Sequence, residues 1–82
     1  MNYRVDIANM VFSPNCLTVE QGDTVTWYWC DGPAHSTTSD TGLWDSGLQA
    51  ILYRFAHTFD RPGEYSYHCK AHPMMTGLVI VK

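Results

Sequence analysis

Positive charge is scarce in this chain and nowhere clustered. Five Lys and Arg stand against eight Asp and Glu, giving a net charge of −3 over 82 residues. A nucleic-acid-binding face needs a basic patch or stripe, so that class of partner is excluded. Long apolar runs are also missing. Stretches such as Leu78-Val79-Ile80-Val81 fall far short of the ~20 residues of a membrane-spanning helix, so no membrane span is expected. The N-terminus lacks the charged, apolar and small-residue succession of a secretory leader, so the chain reads as a mature form or a cytosolic protein. No segment of useful length carries the apolar repeat of an amphipathic helix. Cysteines number three, an odd count that leaves at least one thiol unpaired within the chain.

With 45% hydrophobic and 16% charged residues, the composition is that of an ordinary globular domain. At this length we expect one domain, residues 1–82, burying only about 60% of the surface that its unfolded chain exposes. A metal or a disulfide would help to hold so small a core.

The pattern is one of strands. Tyr3, Val5 and Ile7 alternate with Arg4 and Asp6, as in a half-buried strand. Leu17-Thr18-Val19, the turn signal Gln21-Gly22-Asp23, and Thr24 to Trp29 together predict a hairpin. In that hairpin a three-residue loop would leave Cys16 and Cys30 as diagonal neighbours near the limit of disulfide reach, whereas a two-residue loop would put them on opposite faces. Both pairings stay open. Asp31-Gly32-Pro33 stops the second arm, so His35 falls just past a loop at an end of the sheet. Ser39 to Ala50 reads as an irregular connection, and Leu48 to Tyr53 as a helical turn. Tyr53 to Phe59 and Glu64 to Cys69 alternate again around Arg61-Pro62-Gly63, predicting two antiparallel strands. The last strand, from Leu78, is apolar enough to be covered on both faces. Short strands separated by turn signals about every ten residues argue an all-β sandwich.

The chemistry is concentrated at the end of the strand that finishes in Tyr65-Ser66-Tyr67-His68-Cys69. Alternation turns Tyr65, Tyr67 and Cys69 inward and Ser66, His68 and Lys70 outward. The short loop to Met75 brings His72 and a thioether back toward the thiol. Together with His35, these side chains form a soft donor set that suits copper, and a thiolate, two imidazoles and a weak axial thioether make up the blue-copper electron-transfer site. Singly, each has an ordinary reading: a buried thiol as packing, a methionine as gap filler, a histidine near a loop as surface. Zinc remains an alternative, although structural zinc sites favour several thiolates or paired histidines. A cysteine nucleophile with a histidine base is another, without an obvious third orienting group.

The run Gly63-x-Tyr65-x-Tyr67-x-Cys69-x-x-His72-x-x-Met75-x-Gly77 resembles the ligand loop of cupredoxins, the small blue copper proteins, and in particular the amicyanin and plastocyanin group. Val5-Asp6-Ile7-Ala8-x-Met10, Gly22 to Trp27 and Pro33-x-His35 follow the same family in the same order. The resemblance implies a Greek-key β-sandwich of about seven to eight strands. It implies one copper, cycling between Cu(I) and Cu(II), on His35, Cys69, His72 and Met75. It also implies single-electron transfer in the periplasm or another extracytoplasmic space, by a monomer that is not an enzyme. Transient redox partners would dock near His72, Pro73 and Met74, on an apolar patch that also takes in Pro33 and Ala34. The alternatives are a copper enzyme acting on nitric oxide or nitrite at an open metal position, and a copper carrier.

Two departures from the family pattern, and a comparison with multicopper oxidases, set further expectations. Ala71 stands where amicyanins carry proline, so its N–H is expected to reach the thiolate and raise the potential. Ser36 and Lys70 replace a residue pair that bridges the two ligand loops, so that bridge is expected to be absent. Lys70 also replaces the second histidine of a His-Cys-His triple, which argues against a multicopper oxidase; His68 and His57 read as surface or structural.

Overall fold

Period-two alternation builds both sheets. In the computed structural model, which describes residues 1–82, eight strands run as β1 Asn2–Ala8, β2 Val11–Ser13, β3 Cys16–Val19, β4 Thr24–Trp29, β5 Thr38–Ser39, β6 Arg54–Thr58, β7 Gly63–His68 and β8 Thr76–Val81. One sheet has the order β2-β1-β4-β6 and the other β3-β8-β7-β5. There is no helix, and so none long and apolar enough to cross a membrane. The expected β-sandwich is therefore observed, with eight strands.

Only β1 to β2 and β7 to β8 are neighbours both in sequence and in a sheet; every other connection crosses between the layers. The predicted hairpin of β3 with β4 is therefore not formed. β3 pairs parallel with β8, and β4 pairs parallel with β1, Val5 opposite Trp27. The Glu20–Asp23 segment does turn: Asp23 N donates to Glu20 O at 3.0 Å, Glu20 N donates to Asp23 Oδ2 at 2.9 Å, and Gly22 takes a left-handed φ of 90°. It carries the chain across to the other sheet instead of back along the same one. Cys16 and Cys30 consequently lie on different sheets, both exposed and both free. In the same way, β6 and β7 alternate as expected but pair with β4 and β8. Leu48 to Tyr53 is a turn without helix. β8 is fully covered only on the face of Gly77, Val79 and Val81; Leu78 and Ile80 are half-buried.

The inward faces meet in a core of Val5, Ile7, Val25, Trp27, Trp44, Phe59, Tyr67 and Val79, among others. Tyr67 is central, with its ring 4.8 Å from that of Phe12 and 5.3 Å from that of Trp27. Burial pushes its phenol up to about 12, because the phenolate would be stranded in an apolar interior. On β8, Gly77 sits opposite it, and a Cβ there would come within 2.2 Å of the Tyr67 ring. Only a glycine leaves room for the ring beside the strand that closes the ligand loop.

Candidate metal centre

Two loops at one end of the sandwich, one from each sheet, supply the site. The first follows β4. His35 is fully buried and is held by a two-way bridge to Gln49: His35 N donates to Gln49 O at 3.1 Å, and Gln49 N donates to His35 O at 2.9 Å. The indole Nε1 of Trp29 donates to the same His35 carbonyl at 2.8 Å. The second loop follows β7. Cys69 N donates to Met75 O at 3.1 Å and Met75 N donates to His72 O at 2.8 Å, folding the chain tightly after the strand.

These constraints bring three donors together. Cys69 Sγ lies 3.8 Å from His35 Nδ1 and 3.7 Å from His72 Nδ1, and all three donor atoms fall within 4.8 Å of one another. Bonds of roughly 2.0 to 2.3 Å to nitrogen and sulfur, roughly 120° apart, set donors about 3.7 Å from one another, so the spacing fits one small ion between them. Cys69 is fully buried and His72 half-buried. Desolvation, helped by the neighbouring His72, lowers the pKa of His35, and Asp31 partly opposes this. A lowered pKa keeps the imidazole neutral, as a metal ligand must be. The remaining nitrogen of His35, Nε2, is buried without a hydrogen-bond partner.

The methionines separate cleanly. Met75 is buried at 5% exposure beside the thiol, whereas Met74 is 94% exposed. Met74 instead lines a hollow with Met10, Ala71, His72, Pro73 and Met75 that contains no carboxylate, lysine or arginine. Met10, which the sequence marks only as part of the family motif, reaches this hollow from the turn between β1 and β2. Pro33 and Ala34 are exposed but do not line this hollow.

Two expectations about the surroundings are overturned. Ala71 makes no hydrogen bond to the thiol; the donor is Ser36 N, at 3.5 Å from Cys69 Sγ. The bridge between the loops is also present, because the Lys70 backbone N–H donates to Ser36 Oγ at 2.9 Å. The Ser36 hydroxyl shares a second bond with Thr38 Oγ1 at 2.9 Å, and Thr38 Oγ1 donates to Asp45, which pairs with Lys70 Nζ. That ion pair holds the Asp45 carboxyl below its usual range. A short hydroxyl at position 36 thus does through the backbone what the expected side-chain pair would have done. His68 faces outward and shares a 2.6 Å hydrogen bond with Asp40. His57 is half-buried against Trp44, ring centroids 5.0 Å apart.

A model of the copper-binding proteins of the plastocyanin/azurin family matches residues 1–82. The chain belongs to that family. Amicyanin from Paracoccus denitrificans is 36% identical over 83 residues, an alignment covering 95% of this chain and 63% of that protein. Chloroplastic plastocyanin from Tetradesmus obliquus is 31% identical over 90 residues, covering 94% of this chain and 62% of its relative. The chain thus spans a little under two thirds of the length of those relatives. Among solved structures, the reduced Cu(I) form of an amicyanin point mutant at pH 4 superposes with a TM-score of 0.91 at 33% identity, over 98% of this chain and 81% of that one. The fold is therefore the cupredoxin sandwich, and its cofactor is copper.

Proposed function

We propose that residues 1–82 form a single cupredoxin domain that carries one electron at a time on a mononuclear type 1 copper held by His35, Cys69, His72 and Met75. The observation that carries this reading is the convergence of a fully buried thiol and two imidazole Nδ1 atoms within 4.8 Å. Copper bound there supplies a one-electron couple between Cu(I) and Cu(II).

The chain's own residues supply the rest. Cys69 and His35 are fixed by strand-end and bridge hydrogen bonds, and His72 and Met75 by the tight turn between them, so the donors need to shift little when charge changes. Ser36 N places a donor on the Cys69 sulfur, and hydrogen bonding at that atom tunes a potential. Met75 is buried, and as a weak axial thioether it would fill the position that a small substrate needs open, which favours a carrier over an enzyme of nitric oxide or nitrite. His72, Pro73 and Met74 form the face where transient redox partners dock, and small apolar contacts of this kind suit brief encounters. Work outside the cytoplasm, in the periplasm or an equivalent space, is in keeping with this role.

Adding Cu(II) to the metal-free protein tests the reading. An intense visible thiolate-to-copper absorption with narrow copper hyperfine splitting in EPR is expected, and Cys69→Ser is expected to abolish both. A colourless complex, or colour retained in Cys69→Ser, overturns it.

A further inference from the structure

A hollow of the sandwich lies away from the metal centre. β6 runs antiparallel to β4 with Thr58 opposite Thr24, so the turn after β6 sits at the end opposite the loop that carries His35. There Leu43, His57, Phe59, Asp60, Arg61 and Tyr65 line a space of about 380 Å³, a volume at the lower end for small-molecule sites. Its walls are rings. Phe59 is buried, and the His57 ring meets it edge-on with centroids 4.7 Å apart while stacking on Trp44 at 5.0 Å. The Tyr65 ring lies 5.2 Å from that of Phe59, and its hydroxyl donates to Arg61 O at 2.7 Å. That bond ties the aromatic wall to the charged turn. Leu43 is exposed and adds apolar surface at the rim.

The polar groups around this space have no partners within the chain. The ion pairs join Met1 to Asp23, Arg4 to Asp6, Asp40 to His68 and Asp45 to Lys70, and neither Asp60 nor Arg61 takes part in one. Imidazole hydrogen bonds are made by His35, His68 and His72, and not by His57. Burial lowers the pKa of His57, with Asp60 partly opposing. Near neutral pH the ring is therefore uncharged and offers one N–H donor and one lone pair.

Charge and shape together select among ligands. A simple carboxylate would gain Arg61 but face Asp60, and a simple amine would gain Asp60 but face Arg61. A molecule that carries both charges satisfies both residues, and a ring attached to them fills the aromatic walls. We infer that the hollow binds an aromatic α-amino acid, its carboxylate on the Arg61 guanidinium, its ammonium on the Asp60 carboxylate and its ring against Phe59, Tyr65 and Leu43. His57 presents a neutral hydrogen-bonding edge beside the two charges. None of His35, Cys69, His72 and Met75 lines this space, so its occupancy does not depend on copper.

L-Phenylalanine serves as the probe. Titrated into the diamagnetic Cu(I) protein, it is expected to give saturable NMR shifts at the His57, Phe59 and Tyr65 rings and none at His72 or Met74. Arg61→Gln and Asp60→Asn each remove one charged partner and should weaken binding by about tenfold. Hydrocinnamate, which lacks the ammonium, and phenethylamine, which lacks the carboxylate, should bind the parent protein more weakly by a similar factor. Glycine, without a ring, should give no saturable shift. Both substituted residues are exposed, so an unchanged backbone spectrum away from the turn shows that each variant keeps its fold. Absence of saturable shifts at these rings in the parent overturns the site. Hydrocinnamate or phenethylamine binding as tightly as phenylalanine overturns the choice of a zwitterion, and equal affinity in both variants overturns the assignment to Asp60 and Arg61.

Discussion

The backbone N–H of Lys70 donates to the hydroxyl of Ser36 across 34 positions of sequence, and this bond ties together the loops that carry Cys69 and His35. In Ser36→Ala the Lys70 N–H and the Thr38 hydroxyl lose their shared partner. We expect the metal-free protein to lose about 1–2 kcal/mol, read by urea denaturation, with a shifted copper potential in the loaded protein. Ser36→Thr, which keeps the hydroxyl, should recover most of both.

Gly77 is expected to tolerate no side chain. A Cβ there would stand 2.2 Å from Cζ of Tyr67, and overpacking of this kind costs about 1–3 kcal/mol. Gly77→Ala should lower the midpoint of thermal unfolding, and Gly77→Ala combined with Tyr67→Leu should recover part of the loss.

Acid should weaken the fold through His57. Burial against Trp44 and Phe59 lowers its pKa below the ordinary 6.5, with Asp60 partly opposing; Arg61 and Tyr65 line the same hollow. A depressed pKa means that the folded state prefers the neutral ring. The contribution is therefore complete above the unfolded value and is lost as pH falls through the folded one. Unfolding temperatures between pH 7.5 and pH 5 should drop less in His57→Phe than in the parent. Equal slopes would remove His57 from the account.

Met74 should govern encounters at the His72 face without touching the copper. It is 94% exposed, while Met75 is buried. Met74→Glu sets like charges against each other when two copies meet there, so electron self-exchange measured by NMR in mixed Cu(I) and Cu(II) samples should slow by about tenfold, with an unchanged visible spectrum. An unaltered rate would move the docking surface elsewhere.

All three cysteines are free, so a thiol reagent should count three in the unfolded protein. In the folded metal-free protein, Cys16 and Cys30 should react quickly and Cys69 slowly. A count of one in the unfolded, non-reduced protein would indicate the disulfide that the sheet topology argues against.

The faces of the strands were legible in the sequence; their neighbours were not. Alternation at Val5 and Ile7, or at Tyr65, Tyr67 and Cys69, states which side is buried, and burial follows it. It carries no information about which strand lies alongside. The Gln21-Gly22-Asp23 turn therefore reads equally well as a hairpin or as a crossing between layers, and the second is what forms. Donor type and spacing marked Cys69, His72 and Met75 because one short loop holds them, and His35 joined them as an imidazole just past a loop at an end of the sheet. Met10, Trp29 and the hydroxyl of Ser36 act through contacts made only on folding, between segments whose own sequences are unremarkable. The Ser36 bridge was misjudged because side chains were matched with side chains, while the bond that forms uses a backbone donor.

The boundary strands of the two sheets are very short. β2 has three residues, β5 two and β3 four, and β6, the longest at five, opens with Arg54. A strand edge offers unpaired N–H and C=O groups on which another chain can build, and two to five residues give such growth little purchase. Lateral stacking of one copy on another into fibrils is thereby discouraged.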